Sequence, residues 1–207
     1  MGTGSGFLAF EMEKRGAQVI AFDFDGGNVN HQHDLIPYFD FEQRSGGSYE
    51  SYFKQLLTNL DKMKNSFWLT HSLLKSNIKV FYGNVYDCEV DFGHIDYVFF
   101  GNILLHLMNP IQAINTFAPY ASSKIIITEA AFHQPFNYES DEAVCFLMPN
   151  IDVKDNFMHW WQLTPGFLKR YLNIHGFTNF DLSFHEVLAL FEKPQKKHRH
   201  FTLVASR

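Results

Sequence analysis

The sequence predicts an α/β fold in which short buried strands alternate with amphipathic helices. Four continuous apolar runs predict the strands, and they read VIAFD from Val19, IKVFY from Ile78, IDYVFF from Ile95 and KIIIT from Lys124. Continuous rather than alternating apolar runs are typical of strands that are covered on both faces, as in a parallel sheet. Helix-type spacing lies between the runs, so the chain is expected to form an α/β sandwich.

Helices are predicted where apolar residues recur at three and four positions and where a residue suited to a helix end flanks them. Gly16 suits the end of a first helix, and Asn109 before Pro110 suits the start of another. Thr164 begins a late helix that Gly176 ends. The longest helix is expected from the spacing of Tyr49, Tyr52, Phe53, Leu56, Leu57 and Leu60.

Two segments stand outside this alternation. Near the end of the chain, strands at about 179–187 and 200–206 are expected to form an antiparallel hairpin around the loop EKPQKKHR. Residues 26–47 combine glycines, a proline and polar side chains, and they are expected to form a long loop or lid.

Length and charge limit the classes of protein. The 207 residues suit a single domain over 1–207, and 17 basic against 22 acidic side chains give a net charge of −5. A chain that is 46% hydrophobic and 19% charged is expected to fold. The sequence has no long run of Lys and Arg of the kind that gives broad nucleic-acid binding. A small-molecule substrate is therefore expected rather than tRNA. The sequence leaves the oligomeric state open.

The apolar runs are far shorter than the roughly 20 residues of a membrane helix, and no leader is evident, so a soluble protein is expected. Cys88 and Cys145 are too few for a disulfide framework or a four-cysteine zinc site. This cysteine usage suits a reducing compartment, and the cytoplasm is the expected location. Both cysteines are expected to be small buried apolar residues.

A glycine-rich loop opens the chain as GTGSG, with Gly2, Gly4 and Gly6 at alternate positions before a helix. Glycines let the backbone turn sharply and approach a ligand, and the start of a helix presents free N–H groups to it. Asp23 ends the next strand, where its carboxylate can accept hydrogen bonds from both hydroxyls of a ribose. Together these features predict a site for a nucleoside-bearing ligand.

The whole pattern resembles class I S-adenosylmethionine-dependent methyltransferases. In that family a GxGxG loop holds the methionine part of the cofactor, an acid after the second strand binds the ribose, and a polar residue after the third strand meets the adenine. The segments GTGSG, VIAFD and GNVYD occupy these places in order. The resemblance implies S-adenosylmethionine as cofactor and, as its contacts, Gly2, Thr3, Gly4, Gly6, Asp23, Phe24, Asn84, Val85, Gly101, Asn102 and Ile103.

The resemblance also implies a strand order of 3-2-1-4-5-7-6 and a buried strand directly before the glycine loop. Because the sequence begins at that loop, we expect the first strand to be missing, through a truncated gene product or a start assigned too late. The segment WWQLTPGFLKRYLNIHGF resembles the late helix of a subgroup similar to tRNA wobble-uridine methyltransferases.

Two other classes stay open. From Gly4 the residues GSGFLA fit G-x-G-x-x-A, the fingerprint of NAD(P)- and flavin-dependent oxidoreductases. A noncatalytic remnant of a methyltransferase, without its first strand, is the other. The segments GNVYD and GNILLHL favour the methyltransferase.

Candidate substrate residues follow the third and fourth apolar runs. His106 lies just past the IDYVFF run, at the edge of an α/β sheet where ligands bind, and it is the candidate general base, with helix packing as the alternative. Possible substrate contacts are His133 and Tyr138, in a polar segment that could close over the substrate as a lid. Trp160 and Trp161 could form an aromatic wall over a substrate or belong to the core. No metal is expected, because the pairs His31 with His33 and His198 with His200 lack a supporting carboxylate or cysteine and suit solvated loops.

Overall fold

A computed structural model of the chain describes residues 1–24, 47–88, 90–132, 137–149, 159–189 and 196–207. The chain divides into two compact units. Among the described residues, the first unit comprises 1–24 and 47–88, and the second comprises the residues from 90 onward. The loop expected at 26–47 lies outside the described residues except for Gly47.

The first unit consists of two helices and two strands: α1 Phe7–Lys14, β1 Ile20–Asp23, α2 Tyr49–Leu74 and β2 Lys79–Tyr82. Strands β1 and β2 are parallel, and their register runs from Ile20 beside Lys79 to Asp23 beside Tyr82. The two strands therefore end at the same edge of the small sheet. Gly16, with φ of 92°, follows α1 as expected.

Aromatic rings form the core of the first unit. Phe67, the buried residue of α2, stacks on Phe10 of α1 with ring centroids 5.0 Å apart. Ala21 and Ile78 complete this core from β1 and from the residue before β2. The core thus holds α1 and α2 beside the strands and fixes the segment that precedes α1.

The second unit contains the remaining elements: β3 Ile95–Gly101, α3 Pro110–Phe117, β4 Ala121–Ala130, β5 Cys145–Leu147, β6 Trp161–Leu163, α4 Pro165–Ile174, β7 Asn179–Ala189 and β8 Lys196–Ser206. Asn109 and Thr164 begin α3 and α4, and the side chain of each accepts a backbone N–H, from Gln112 and Phe167. These are the helix starts that the sequence predicts.

The main sheet of the second unit has the order β3-β4-β8-β7. Strands β3 and β4 are parallel, whereas β8 is antiparallel to both β4 and β7. This order matches 4-5-7-6 of the expected topology, and β2 with β1 matches 3-2. The prediction of an α/β fold that ends in an antiparallel hairpin is confirmed. The described sheets are mixed rather than mostly parallel, because two of the described strand pairs are parallel and three are antiparallel. Short strands β5 and β6 form a separate antiparallel pair.

Three sequence expectations are wrong in detail. The hairpin loop is shorter than EKPQKKHR, because β8 begins at Lys196 and pairs His198 with Val187 and His200 with His185. His198 and His200 are therefore half-buried strand residues and not loop residues. Cys145 is exposed and Cys88 is only partly buried, so neither belongs to the core.

Strand pairing also bears on the expected missing strand. Among the described residues, β1 pairs with β2 alone and β3 with β4 alone. The missing strand and the single domain stay predictions. None of the described helices is long and apolar enough to span a membrane.

Candidate functional site

The glycine loop is anchored to the end of β1 by three hydrogen bonds, and a fourth closes the loop on itself. The backbone N–H of Gly2 and the hydroxyl of Thr3 both donate to the carbonyl oxygen of Phe22, at 3.1 and 3.2 Å. The N–H of Gly4 donates to Asp23 Oδ2 at 2.7 Å, and the N–H of Gly6 donates to the carbonyl of Thr3 at 2.9 Å. The loop and the acid that the sequence singled out are thus in direct contact.

Asp23 keeps room for further hydrogen bonds. Its Oδ2 accepts from Gly4, and its Oδ1 accepts from the N–H of Phe24 at 2.8 Å. A carboxylate offers about four lone-pair sites. Two of them are used by these backbone bonds, so the half-buried carboxylate can accept two more donors, as a ribose diol would require.

Two glycines of the loop are needed for different physical reasons. Gly4 has φ of 55°, and a Cβ added there meets nothing within 4 Å, so the space beside its backbone is open. Gly6 has φ of 88°, and an added Cβ would lie 2.4 Å from a ring carbon of Phe67. Gly6 therefore serves the packing of the loop, and Gly4 leaves its backbone accessible to a ligand. The residues present fit a nucleoside-bearing cofactor on this side of the loop.

Asn84 follows β2 at the same edge of the small sheet. The N–H of Gly83 donates to the carbonyl of Asp23 at 3.0 Å, which joins the end of β2 to the end of β1. The side-chain oxygen of Asn84 accepts the N–H of Tyr86 at 2.9 Å, and Val85 lies inside this turn. The first unit thus gathers the glycine loop, Asp23, Phe24, Asn84 and Val85 as one group of candidate residues.

In the second unit, the candidate residues follow β3. Asn102 has a positive φ of 53°, and its N–H donates to the carbonyl of Thr128 at 2.7 Å. The side chain of Asn102 is exposed at the carboxyl end of the sheet. Gly101 ends β3 against the ring of Phe99, and Ile103 is half-buried.

His106 ends a short 3-10 turn, Leu104–His106, and its N–H donates to the carbonyl of Ile103 at 3.0 Å. Its ring lies 5.1 Å from the ring of His159, centroid to centroid, and Phe132 lies 5.4 Å from His159 on another side. Burial, together with the nearby His106, lowers the pKa of His159 to about 4. His159 is therefore a neutral imidazole, able both to donate and to accept a hydrogen bond.

The two tryptophans hold the segment before β6 against this turn. The backbone N–H of Trp160 donates to the carbonyl of Leu105 at 2.7 Å. The indole N–H of Trp161 donates to the carbonyl of Met108 at 3.0 Å. Trp160 thus lies beside the turn that carries His106.

Sequence reasoning missed two residues near His106 in the second unit, His159 and Glu129. Glu129 is 3% exposed near the end of β4, and it accepts the N–H of Leu104 at 2.8 Å. Burial raises the pKa of Glu129 to about 8, against the opposing effect of the N–H groups at 103–105. The acid at the end of the KIIITEA run was a signal for Glu129. His159 had no signal, because its neighbour is 53 positions earlier.

Tyr138 is buried, 3% exposed, with its ring 6.0 Å from that of Phe201. Burial, together with the nearby Glu129, raises the pKa of Tyr138 to about 12, so the phenol keeps its proton. His133 lies outside the described residues. In the described part of the chain, no three His, Cys, Asp or Glu side chains are placed to hold a metal ion.

No protein-family model matches the chain, and no curated protein sequence matches it. The chain does resemble solved structures. Over its full length it aligns with magnesium protoporphyrin IX methyltransferase (ChlM) from Synechocystis PCC 6803, crystallised with bound SAM, at 15% identity, a TM-score of 0.51 and 67% coverage of that protein. TehB from Haemophilus influenzae aligns with all of the chain at 12% identity and a TM-score of 0.55, and the chain spans 55% of its length.

A SAM-dependent methyltransferase from Methanosarcina mazei aligns with all of the chain and with 89% of its own length, at 13% identity and a TM-score of 0.53. At identities this low the likeness defines the fold. The fold is that of the Rossmann-like methyltransferases, as the order of strands within each sheet also indicates.

Proposed function

We propose that the chain is an S-adenosylmethionine-dependent methyltransferase. The observation that carries this proposal is the bond between the glycine loop and the acid at the end of β1, Gly4 N–H to Asp23 at 2.7 Å. The bond places the open space beside Gly4 next to Asp23, whose carboxylate has two further acceptor sites for a ribose. Asn84 and Val85, at the same edge, are the proposed adenine contacts.

The candidate residues of the second unit have a separate role in this proposal. Gly101, Asn102 and Ile103 contribute backbone and polar contacts to the cofactor, and His106 is the general base. S-adenosylmethionine supplies an activated methyl group when bound. What the protein then adds is orientation of the nucleophile and exclusion of water. His106 suits the removal of a proton from that nucleophile because imidazole titrates near neutral pH.

The proposed substrate is a small molecule, and one neighbour with the same fold, ChlM, is named for a small-molecule substrate. The net charge of −5 argues against tRNA, even though the segment at 160–177 resembles the wobble-uridine subgroup. Tyr138, Trp160, Trp161 and His133 are the proposed substrate-side residues. Of these, Trp160 is directly bonded to the turn that carries His106.

We also propose that 1–207 is one methyltransferase domain and that a further strand can pair with its sheets. The single pairing partner of β1 and of β3 within the described residues supports the second proposal. Comparing urea denaturation of this chain with that of a chain extended by the in-frame upstream codons tests it. An extension that adds no stability would contradict it.

Isothermal titration with S-adenosylmethionine and with S-adenosylhomocysteine tests the function itself. We expect micromolar affinity for both, and NADH titrated in parallel should give no heat of binding. Binding of NADH alone would establish the oxidoreductase class in place of the methyltransferase. Failure of all three ligands to bind would favour the noncatalytic remnant.

A further inference from the structure

The turn that carries His106 begins in a way that leaves backbone donors in need of a partner. The first N–H groups of any helical turn have no acceptor within the turn itself. A Ser, Thr, Asp or Asn at the start normally supplies one. Here the first position is Ile103, whose side chain has no acceptor and makes no capping hydrogen bond.

Glu129 supplies the missing acceptor from a different strand. Its Oε1 accepts the N–H of Leu104 at 2.8 Å, and the N–H groups of Ile103 and Leu105 also act on its carboxyl group. The acid is 25 positions away in sequence and 3% exposed. An unsatisfied N–H at such a depth is costly, so the turn depends on this side chain.

The backbone on both sides of the turn is fixed as well. Asn102 donates its N–H to Thr128, the residue before Glu129, at 2.7 Å. On the far side, the carbonyl of Leu105 accepts the N–H of Trp160 at 2.7 Å. The Glu129 side chain thus links β4 to the turn between these two backbone bonds.

We propose that Glu129 is a positioning residue: its carboxyl group holds the turn at 103–105 and thereby places the His106 ring against His159. The importance of this placement for a reaction rests on the proposed function. The placement of the His106 ring is independent of the proposed function, because it concerns only contacts within the second unit. Glu129 touches neither cofactor nor substrate in this assignment and acts through the turn.

The test compares Glu129→Gln with Glu129→Leu. The Gln side chain keeps one carbonyl oxygen that can accept the Leu104 N–H, whereas Leu has a similar volume and no acceptor. Glu186→Gln is the control, because Glu186 is an exposed residue of β7 that pairs with Lys197. The measurement is the NMR titration of the His159 ring, which reports on its burial and on the neighbouring His106.

With Glu129→Leu we expect the pKa of His159, normally about 4, to rise by at least about one unit as the turn loosens and water enters. Glu129→Gln should restore the unaltered titration, as should the control. A Leu variant that folds, by circular dichroism, and leaves the His159 titration unchanged would overturn the proposal. If the Leu variant does not fold, a Gln variant with the raised His159 pKa overturns it.

Cofactor titration of the same variants separates the two proposals. A shifted His159 titration in a protein that binds no S-adenosylmethionine supports the positioning role and contradicts the proposed function. An unshifted titration in a protein that binds the cofactor supports the proposed function and contradicts the positioning role.

Discussion

Each unit has an acid at the end of a strand that accepts backbone N–H groups from a neighbouring loop. In the first unit Asp23 accepts from Gly4 and Phe24, and in the second unit Glu129 accepts from Leu104. The two acids differ in burial, since Asp23 is half-buried and Glu129 is 3% exposed. The half-buried acid keeps acceptors that a ligand can reach, whereas the buried acid is committed to the fold.

This difference separates a binding role from a positioning role for the same chemical group. An acid that binds a ligand must be accessible to solvent, and movement of its loop costs the fold little stability. An acid that serves a turn gains from burial, because a hydrogen bond shielded from water is harder to replace. Three predictions sharpen the contrast.

The largest expected effect is on the pH dependence of stability. The pKa of Glu129 is about 8 in the fold, and that of an unfolded Glu is about 4.5. Between these values the native state holds a proton that the unfolded state has lost, so stability falls as pH rises, by about 1.4 kcal/mol per unit. From pH 5 to 8 the free energy of unfolding should fall by roughly 4 kcal/mol relative to Glu129→Gln.

Urea denaturation of both proteins at several pH values measures this difference. The effect of His159, whose lowered pKa removes stability as pH falls from 6.5 toward 4, is common to both proteins and cancels. Parallel pH profiles for the two proteins would show that Glu129 is ionised throughout this range, contrary to the prediction.

The next effect concerns the glycine loop of the first unit. Gly6→Ala should lower the free energy of unfolding by about 3 kcal/mol, because φ is 88° and the new Cβ would lie 2.4 Å from the Phe67 ring and 2.5 Å from the Phe10 ring. Gly4→Ala is the matched control, with a similar φ of 55° and no atom within 4 Å, and it should cost only about 1 kcal/mol. Denaturation measures both.

Cofactor titration adds a reversed ranking for the same pair. The Cβ of Gly4→Ala would occupy the open space beside the loop. Gly4→Ala, although the milder variant in stability, should therefore lose more affinity for S-adenosylmethionine than Gly6→Ala. Unchanged affinity would place the ligand elsewhere.

The last effect, smaller than those of Glu129 and Gly6, is that of Asp23→Ala on cofactor binding. Loss of the carboxylate should weaken the affinity for S-adenosylmethionine by roughly 1.5 to 3 kcal/mol, the scale of hydrogen bonds to a charged group. Isothermal titration measures it, with Asp91→Ala as the control. Asp91 is an exposed acid that likewise accepts a backbone N–H, from Gly93 at 2.8 Å. An unaltered dissociation constant in the Asp23 variant would remove the ribose role.

Local signals in the sequence identified much of the fold. Thr164 and Pro165 begin α4, and Gly176, with φ of 82°, follows its end, as predicted. The sequence predicts the hairpin but with too long a loop, because the basic and polar residues at 196–199 resemble a loop. Pairing with the full length of β7 overrides that composition and continues β8 back to Lys196.

Sequence patterns alone predict the α/β class, the starts of helices α3 and α4, and the pairing of a glycine loop with Asp23. These features depend on neighbouring residues or on the general rules of α/β chains, so local patterns contain them. The contact of Glu129 with a turn 25 positions away and the position of His159 beside His106 are visible in the folded chain alone. Such contacts depend on the register of strands and on burial. The local sequence marks Glu129 as an acid near the end of a strand, but it does not indicate which distant residues Glu129 or His159 will contact.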